Sequence, residues 1–271
     1  MRDYGSTTGV TLVVGDVAIL NSTPRNEDSA VGAAIKHESV LDFNYTEIID
    51  EVANLSRTAM STSSYDNATK MAVQLNAAMI RYARKLENSA LHGIKVIRSS
   101  SAAGTMGGLI QQVSASGGNI NTTGGNLSED HVNDVIAEIA VKGGMLTNPV
   151  LITGIAQARR LSALNTAGTN PTVFKDIGDR TLGGYTTAFI GDLPINDAGT
   201  VAKVFVAQNM AKDKVVVADM DKVSLKVMDG LTTRDATTPG TDGLKQRLLA
   251  EMTLEVQNAT SAHGIITGLT I

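Results

Sequence analysis

The sequence predicts an α+β fold. Three features carry that expectation: a helical period sustained from Tyr65 to Gly93, a second helix opening at Ser128, and a C-terminal half made largely of short β-branched runs between turn residues. Aromatic residues are only 3% of the chain and Trp is absent, so the core must be built from Val, Ile, Leu, Met and Ala.

Residues 1–40 come first. TGVTLVVGDVAIL (8–20) holds β-branched runs broken by Gly15, and NSTPRNEDS supplies turn chemistry. The segment has too few large apolar residues to bury a core of its own. It reads either as a loose extension or as an arm that becomes ordered against a neighbour. In residues 41–60, Phe43, Tyr45 and Ile48 have a strand-like pattern, and SRTA (56–59) is expected to continue extended.

The long helix follows. Leu75, Met79, Tyr82 and Leu86 fall on one face of a 3.6-residue period. A charge at Met79 is therefore expected to prevent folding. Ser63 or Ser64 can cap the start and Gly93 the end. After the glycine-rich run 99–125, Ser128-Glu129-Asp130 opens a helix over 128–142, with Val132, Val135, Ile136 and Ile139 inward and Gly143-Gly144 closing it. PVLIT (149–153) is a buried strand and residues 154–165 a third helix. Further strands are expected in TTAFIGDLPIND, VAKVFVAQN, DKVVVADMDKVSLKVMDG and the C-terminal 25 residues, with a break near Asn258. Gly, Thr and Asp clusters make 229–243 a loop.

The chain offers no recognisable chemistry. GTMGGL (104–109) invites a phosphate-cradle reading, but a P-loop needs GxxxxGK[ST], and no Lys or Arg lies between Arg98 and Lys142. The dinucleotide spacing GxGxxG is missing too, so the glycines are expected to serve tight turns and close backbone approach. His37, His92, His131 and His263 each stand alone. Asp219 and Asp221 resemble half a metal loop without its glycine or distal glutamate. Glu47, Asp50 and Glu51 cluster without a pocket to give them a role. Arg159-Arg160 reads as a solvent- or subunit-facing helix surface. No catalytic, cofactor-binding or metal residue is assigned, and no cofactor is expected.

Net charge is −4 with no basic run, which argues against sequence-specific nucleic-acid binding. The absence of cysteine removes disulfides and thiolate metal sites. No apolar run is long enough to span a membrane, and the N-terminus has no secretory pattern.

FNYTEI (43–48), LSRTAMST (55–62), a long helix ending RKLENSALHG (84–93) and then GTMGGL (104–109) occur in that order. Together they resemble a family of tailed-phage major capsid proteins with the HK97-like fold. In that family an NYTQI-like word precedes a strand ending in SRTA or SGTA, and a TMGGL-like word follows the long helix. Glu47 stands where glutamine is usual. The resemblance spans residues 40–271 and implies an extended loop in 1–40, a peripheral domain in 41–126 with a spine helix at 65–92, an axial domain in 127–222, and a return to the peripheral domain in 223–271. The extended loop would lie over a neighbouring subunit. The chain starts close to this loop, where relatives usually carry an arm. Lys36 is the lysine available should the shell cross-link, as some proteins of this fold do.

The function implied is structural. Pentamers and hexamers would assemble into an icosahedral phage head enclosing double-stranded DNA without sequence-specific contacts. Portal, scaffold or decoration proteins would be partners, there would be no membrane, and assembly would take place in the host cytoplasm before residence in the virion. An encapsulin-like compartment shell is the near alternative, and a small-molecule enzyme on an α+β scaffold the distant one.

Overall fold

The computed structural model describes residues 41–62, 70–167, 181–182, 185–186, 192–195 and 200–270. Every element below lies within Phe43–Ile271, one compact unit. The expected arm in 1–40 and the caps at Ser63 or Ser64 lie outside the described residues.

In chain order the elements are β1 (Glu47–Ser56), α1 (Arg57–Ser61), α2 (Lys70–His92), α3 (Leu109–Ala115), β2 (Asn119–Thr122), α4 (Glu129–Val141), β3 (Pro149–Thr153) and α5 (Ile155–Ala167). They continue with β4 (Thr181–Leu182), β5 (Tyr185–Thr186), β6 (Asp192–Ile195), β7 (Thr200–Val206), β8 (Val215–Asp219), a 3-10 turn (Met220–Lys222), β9 (Val223–Asp235), β10 (Gly243–Val256) and β11 (His263–Thr267). The fold is α+β, organised on two larger sheets. An antiparallel sheet has the order β1-β10-β9, and a mixed sheet has the order β2-β11-β8-β3-β7-β6. In the mixed sheet β2 runs parallel to β11 and β3 parallel to β7. This sheet takes in two strands from outside 127–222, namely β2 and β11.

The mixed sheet is covered on both faces, which explains why its strands read as apolar runs without alternation. All five residues of β8 are buried. Val215 and Val217 face a core with Val132, Val135, Ile136 and Ile139 of α4 and Leu161 of α5. Val216 and Ala218 face a second core with Leu91 of α2, Met106, and Leu109 and Val113 of α3. The predicted inward face of α4 is thus the buried one. Ser128 caps α4 in a reciprocal pair with His131, and Gly143 at its end has φ 78°.

The long helix differs from expectation in its buried stripe. Its described length is 23 residues, about 35 Å. Ala78, Tyr82 and Leu91 are buried, with Met71, Leu75 and Leu86 packed beside them, whereas Met79 is 41% exposed. Ala78 packs with Ala53 of β1 and Leu248 of β10. Three members of the expected stripe, Leu75, Tyr82 and Leu86, lie on the contact line; only Met79 does not, and its place is taken by Ala78.

Two further expectations are corrected. SRTA is not extended: the Ser56 side chain accepts from the Ala59 amide at 3.3 Å and starts α1. The glycine-rich run holds two elements that its composition does not announce, α3 and β2. The loop expected at 229–243 is confined to 236–242, because β9 pairs with β10 as far as Asp235 against Gln246. Gly230 and the two aspartates disfavour a strand, but Thr232 and Thr233 favour one, and pairing with β10 decides the outcome.

Candidate functional site

GTMGGL meets FNYTEI at one joint. The α2 helix ends with the Gly93 amide donating to Ser89 O at 2.9 Å. The chain then leaves, pairs Val96 with Thr105 as an antiparallel bridge, and returns so that the Gly108 amide donates to Gly93 O at 2.8 Å. A Cβ on Gly93 would lie 2.4 Å from both Met106 O and Ser89 O, and one on Gly108 would lie 2.6 Å from Gly93 N. Backbone crosses backbone here with no room for a side chain, so glycine is required on steric grounds.

Asn44 locks the crossing. Its Nδ2 donates to Gly107 O at 2.9 Å and to Leu254 O at 2.8 Å, while its Oδ1 accepts from the Gly107 amide at 2.7 Å. Glu47 adds two acceptor contacts, from the Ser89 hydroxyl at 2.8 Å and the Met106 amide at 3.1 Å. Gln112 of α3 also donates to Gly107 O, at 2.7 Å. One joint therefore ties together the end of α2, the entry to β1, the start of α3 and the end of β10. We expect Asn44→Ala to cost about 1–3 kcal/mol, because it leaves the partly buried Gly107 amide without its acceptor while Gln112 still donates to Gly107 O and Leu254 O; urea unfolding of the purified chain measures this directly.

This geometry excludes a phosphate cradle. Such a cradle needs backbone amides free to point at the anion. The amides of Thr105, Met106, Gly107 and Gly108 already donate, to Val96 O, Glu47, Asn44 and Gly93 O respectively.

The other candidates do not converge. Glu47 belongs to the joint. Asp50 pairs with Arg247 at 3.0 Å. Glu51 pairs with Lys85 at 2.7 Å and Arg81 at 3.0 Å, and these bonds, Lys85 first, hold its carboxyl below the usual range despite some desolvation. His92 lies 3.1 Å from Asn209 O, His131 caps α4, and His37 is outside the described residues. Arg159 and Arg160 are exposed on α5. No group of three or more His, Cys, Asp or Glu among the described residues could hold a metal ion. Asp219 and His263 are buried together, a pairing that nothing in their local sequence signals.

A groove of about 550 Å³ lies between α2 and the mixed sheet, lined by Leu91, Val150, Ile152 and Phe205 with Glu87 and Lys203. It lacks the convergent polar groups of a small-molecule site. Apolar surface is also open on the edge strand β9, where Val227, Leu231 and Met228, the last 74% exposed, face solvent. A long apolar edge strand is a pairing surface.

These features define a class by fold: an α+β, HK97-like subunit whose long helix is welded at its end to both sheets. The arrangement is shared with several solved structures. A chain of the satellite phage P4 procapsid, solved with its size determination (Sid) protein, is similar with TM-score 0.56 and 11% identity over 96% of this chain and 82% of that one. A chain of cyanophage A-1(L) matches with TM-score 0.55 and 14% identity over 83% and 78%. The SrpI encapsulin of Synechococcus elongatus PCC 7942 matches with TM-score 0.55 and 11% identity over 83% and 74%. At such identities the likeness is one of fold. No curated protein matches the chain. The SU10 major capsid protein family model matches residues 14–270, and the chain belongs to that family. It is a structural capsid protein of the virion, not an enzyme.

Proposed function

We propose that copies of this chain form pentamers and hexamers that close into an icosahedral head around double-stranded DNA. The family match over residues 14–270 carries this reading. In it the β1-β10-β9 sheet with α2 is the peripheral domain and the mixed sheet the axial domain around which copies gather. Residues 1–40 lie over a neighbouring subunit, which supplies the apolar surface that segment lacks. Such contacts are heterologous and close by rotation, and many weak repeats give a stable shell. The net charge of −4 suits an interior that holds DNA without gripping it. Portal, scaffold or decoration proteins join the shell, and assembly takes place in the host cytoplasm.

Native mass spectrometry of the purified chain tests the ring claim. The reading expects species at five and six times the 28.3 kDa subunit. Dimers or tetramers as the sole assembled species would contradict it.

A further inference from the structure

Two short crossings carry the chain between the sheets. One runs from β8 to β9 through the turn Met220–Lys222, the other from β10 to β11 through residues 257–262, where Asn258 has φ 52°. They lie side by side, with the Gln257 amide donating to Lys222 O at 2.8 Å. At their junction sit two polar side chains with no exposure, Asp219 and His263.

Asp219 is saturated. Its carboxylate accepts from the Thr147 amide at 3.1 Å, the Thr147 hydroxyl at 2.8 Å, the Asn148 amide at 3.0 Å and the Asp221 amide at 3.2 Å. Burial raises its pKa, but these bonds outweigh burial and hold it below the ordinary value.

His263 links the end of β8 to the second crossing. Its Nδ1 faces the Asp219 amide at 3.3 Å and its Nε2 faces Gln257 O at 3.1 Å. An amide N–H can only donate and a carbonyl can only accept. The ring is therefore neutral, with its proton on Nε2. A second proton would point from Nδ1 at the Asp219 N–H and remove that bond.

We propose that His263 is a proton-sensitive latch on the hinge between the two sheets. Neutral, it ties the end of β8 to the second crossing; protonated, it releases the Asp219 amide and loosens that tie, leaving the Gln257–Lys222 bond to hold the two crossings together alone. The strands and turn that meet at the ring carry Asp219 on β8, Asp221 and Lys222 on the turn and Glu255 on β10; α3, packed on the same face of the sheet as Ile265 and Ala218, carries no charge, and β2 presents neutral Asn119. Asp219 favours the proton, yet burial is the larger influence and pushes the ring below its ordinary value. The open hinge thus binds the proton more tightly than the closed one. Latching is complete above the ordinary histidine pKa of about 6.5 and weakens about tenfold per pH unit below it, until the closed-state pKa is reached. Asp219 stays ionised across this window. Asn119 Nδ2 bonds His263 O at 2.9 Å and Thr260 O at 3.2 Å in either protonation state, so β11 itself stays in place.

Hydrogen–deuterium exchange of the full chain between pH 7.5 and 5, corrected for intrinsic rates, reads the latch. Protection in peptides covering 219–223 and 256–263 should fall about tenfold per unit below pH 6.5, while peptides from α4 and the middle of β10 hold. His263→Gln, which keeps a donor and an acceptor but does not titrate, should abolish the pH dependence. Three results would overturn the proposal: flat protection in the crossings, loss in step with α4 and β10, or the same acid response in His263→Gln. If that variant does not fold, the wild-type comparison of crossings with α4 and β10 decides alone.

Discussion

Ala78→Asp unfolds the subunit, whereas Met79→Asp leaves it folded: that is the expected result of moving one charge by one residue along α2. Ala78 has no exposure and touches Ala53 and Leu248, so a carboxylate there enters an apolar contact with no partner. Burying an unpaired charge costs more than about 3 kcal/mol, a large share of a typical domain's stability. Met79 is 41% exposed, and a carboxylate there can reach water. Its cost should be about 1 kcal/mol or less, mostly helix propensity. Soluble yield and urea midpoints of the two variants, measured side by side, check the register of the whole helix. Equal damage from both would show that α2 is rotated from the position described.

Gly93→Ala should be the most damaging change in the chain's glycine-rich neighbourhood. Its Cβ would sit 2.4 Å from two backbone oxygens, Met106 O and Ser89 O, and no rotamer change relieves a backbone clash. A loss of at least about 3 kcal/mol is expected, with the joint opening between α2 and α3. Gly124→Ala and Gly125→Ala are the matched controls. A Cβ at either meets nothing within 4 Å, and neither has a positive φ. They should change stability by no more than about 0.5 kcal/mol. Thermal denaturation of the three variants separates glycine required by contact from glycine that only permits a loop.

The fold was legible where local pattern and burial agree. The apolar face of α4, its Ser128 cap and its glycine stop were all readable, because a two-faced helix writes its burial directly into a 3.6-residue period. PVLIT is readable as a buried strand from its unbroken apolar run, and VVVAD as strand within DKVVVADMDKVSLKVMDG, though its burial on both faces is not. What escaped notice depends on partners far along the chain. Ala78 lies on the face of Leu75 and Tyr82, but its burial by Leu248 in place of Met79 depends on a strand 170 residues away. The strand from Asp229 to Asp235 exists because Gln246–Glu251 pairs with it. The words NYTEI and TMGGL were visible separately, but the bonds from Asn44 to Gly107 span 63 residues. Their order suggested a family; only the folded chain shows that they touch. The pairing of His263 with Asp219 was hidden in the same way, 44 residues apart.

The reading of this chain as a shell subunit is tested most directly by negative-stain electron microscopy of the purified protein. The account predicts closed particles, rings of five or six subunits, or tubes built from the same contacts. A homogeneous field of monomers or dimers would contradict it.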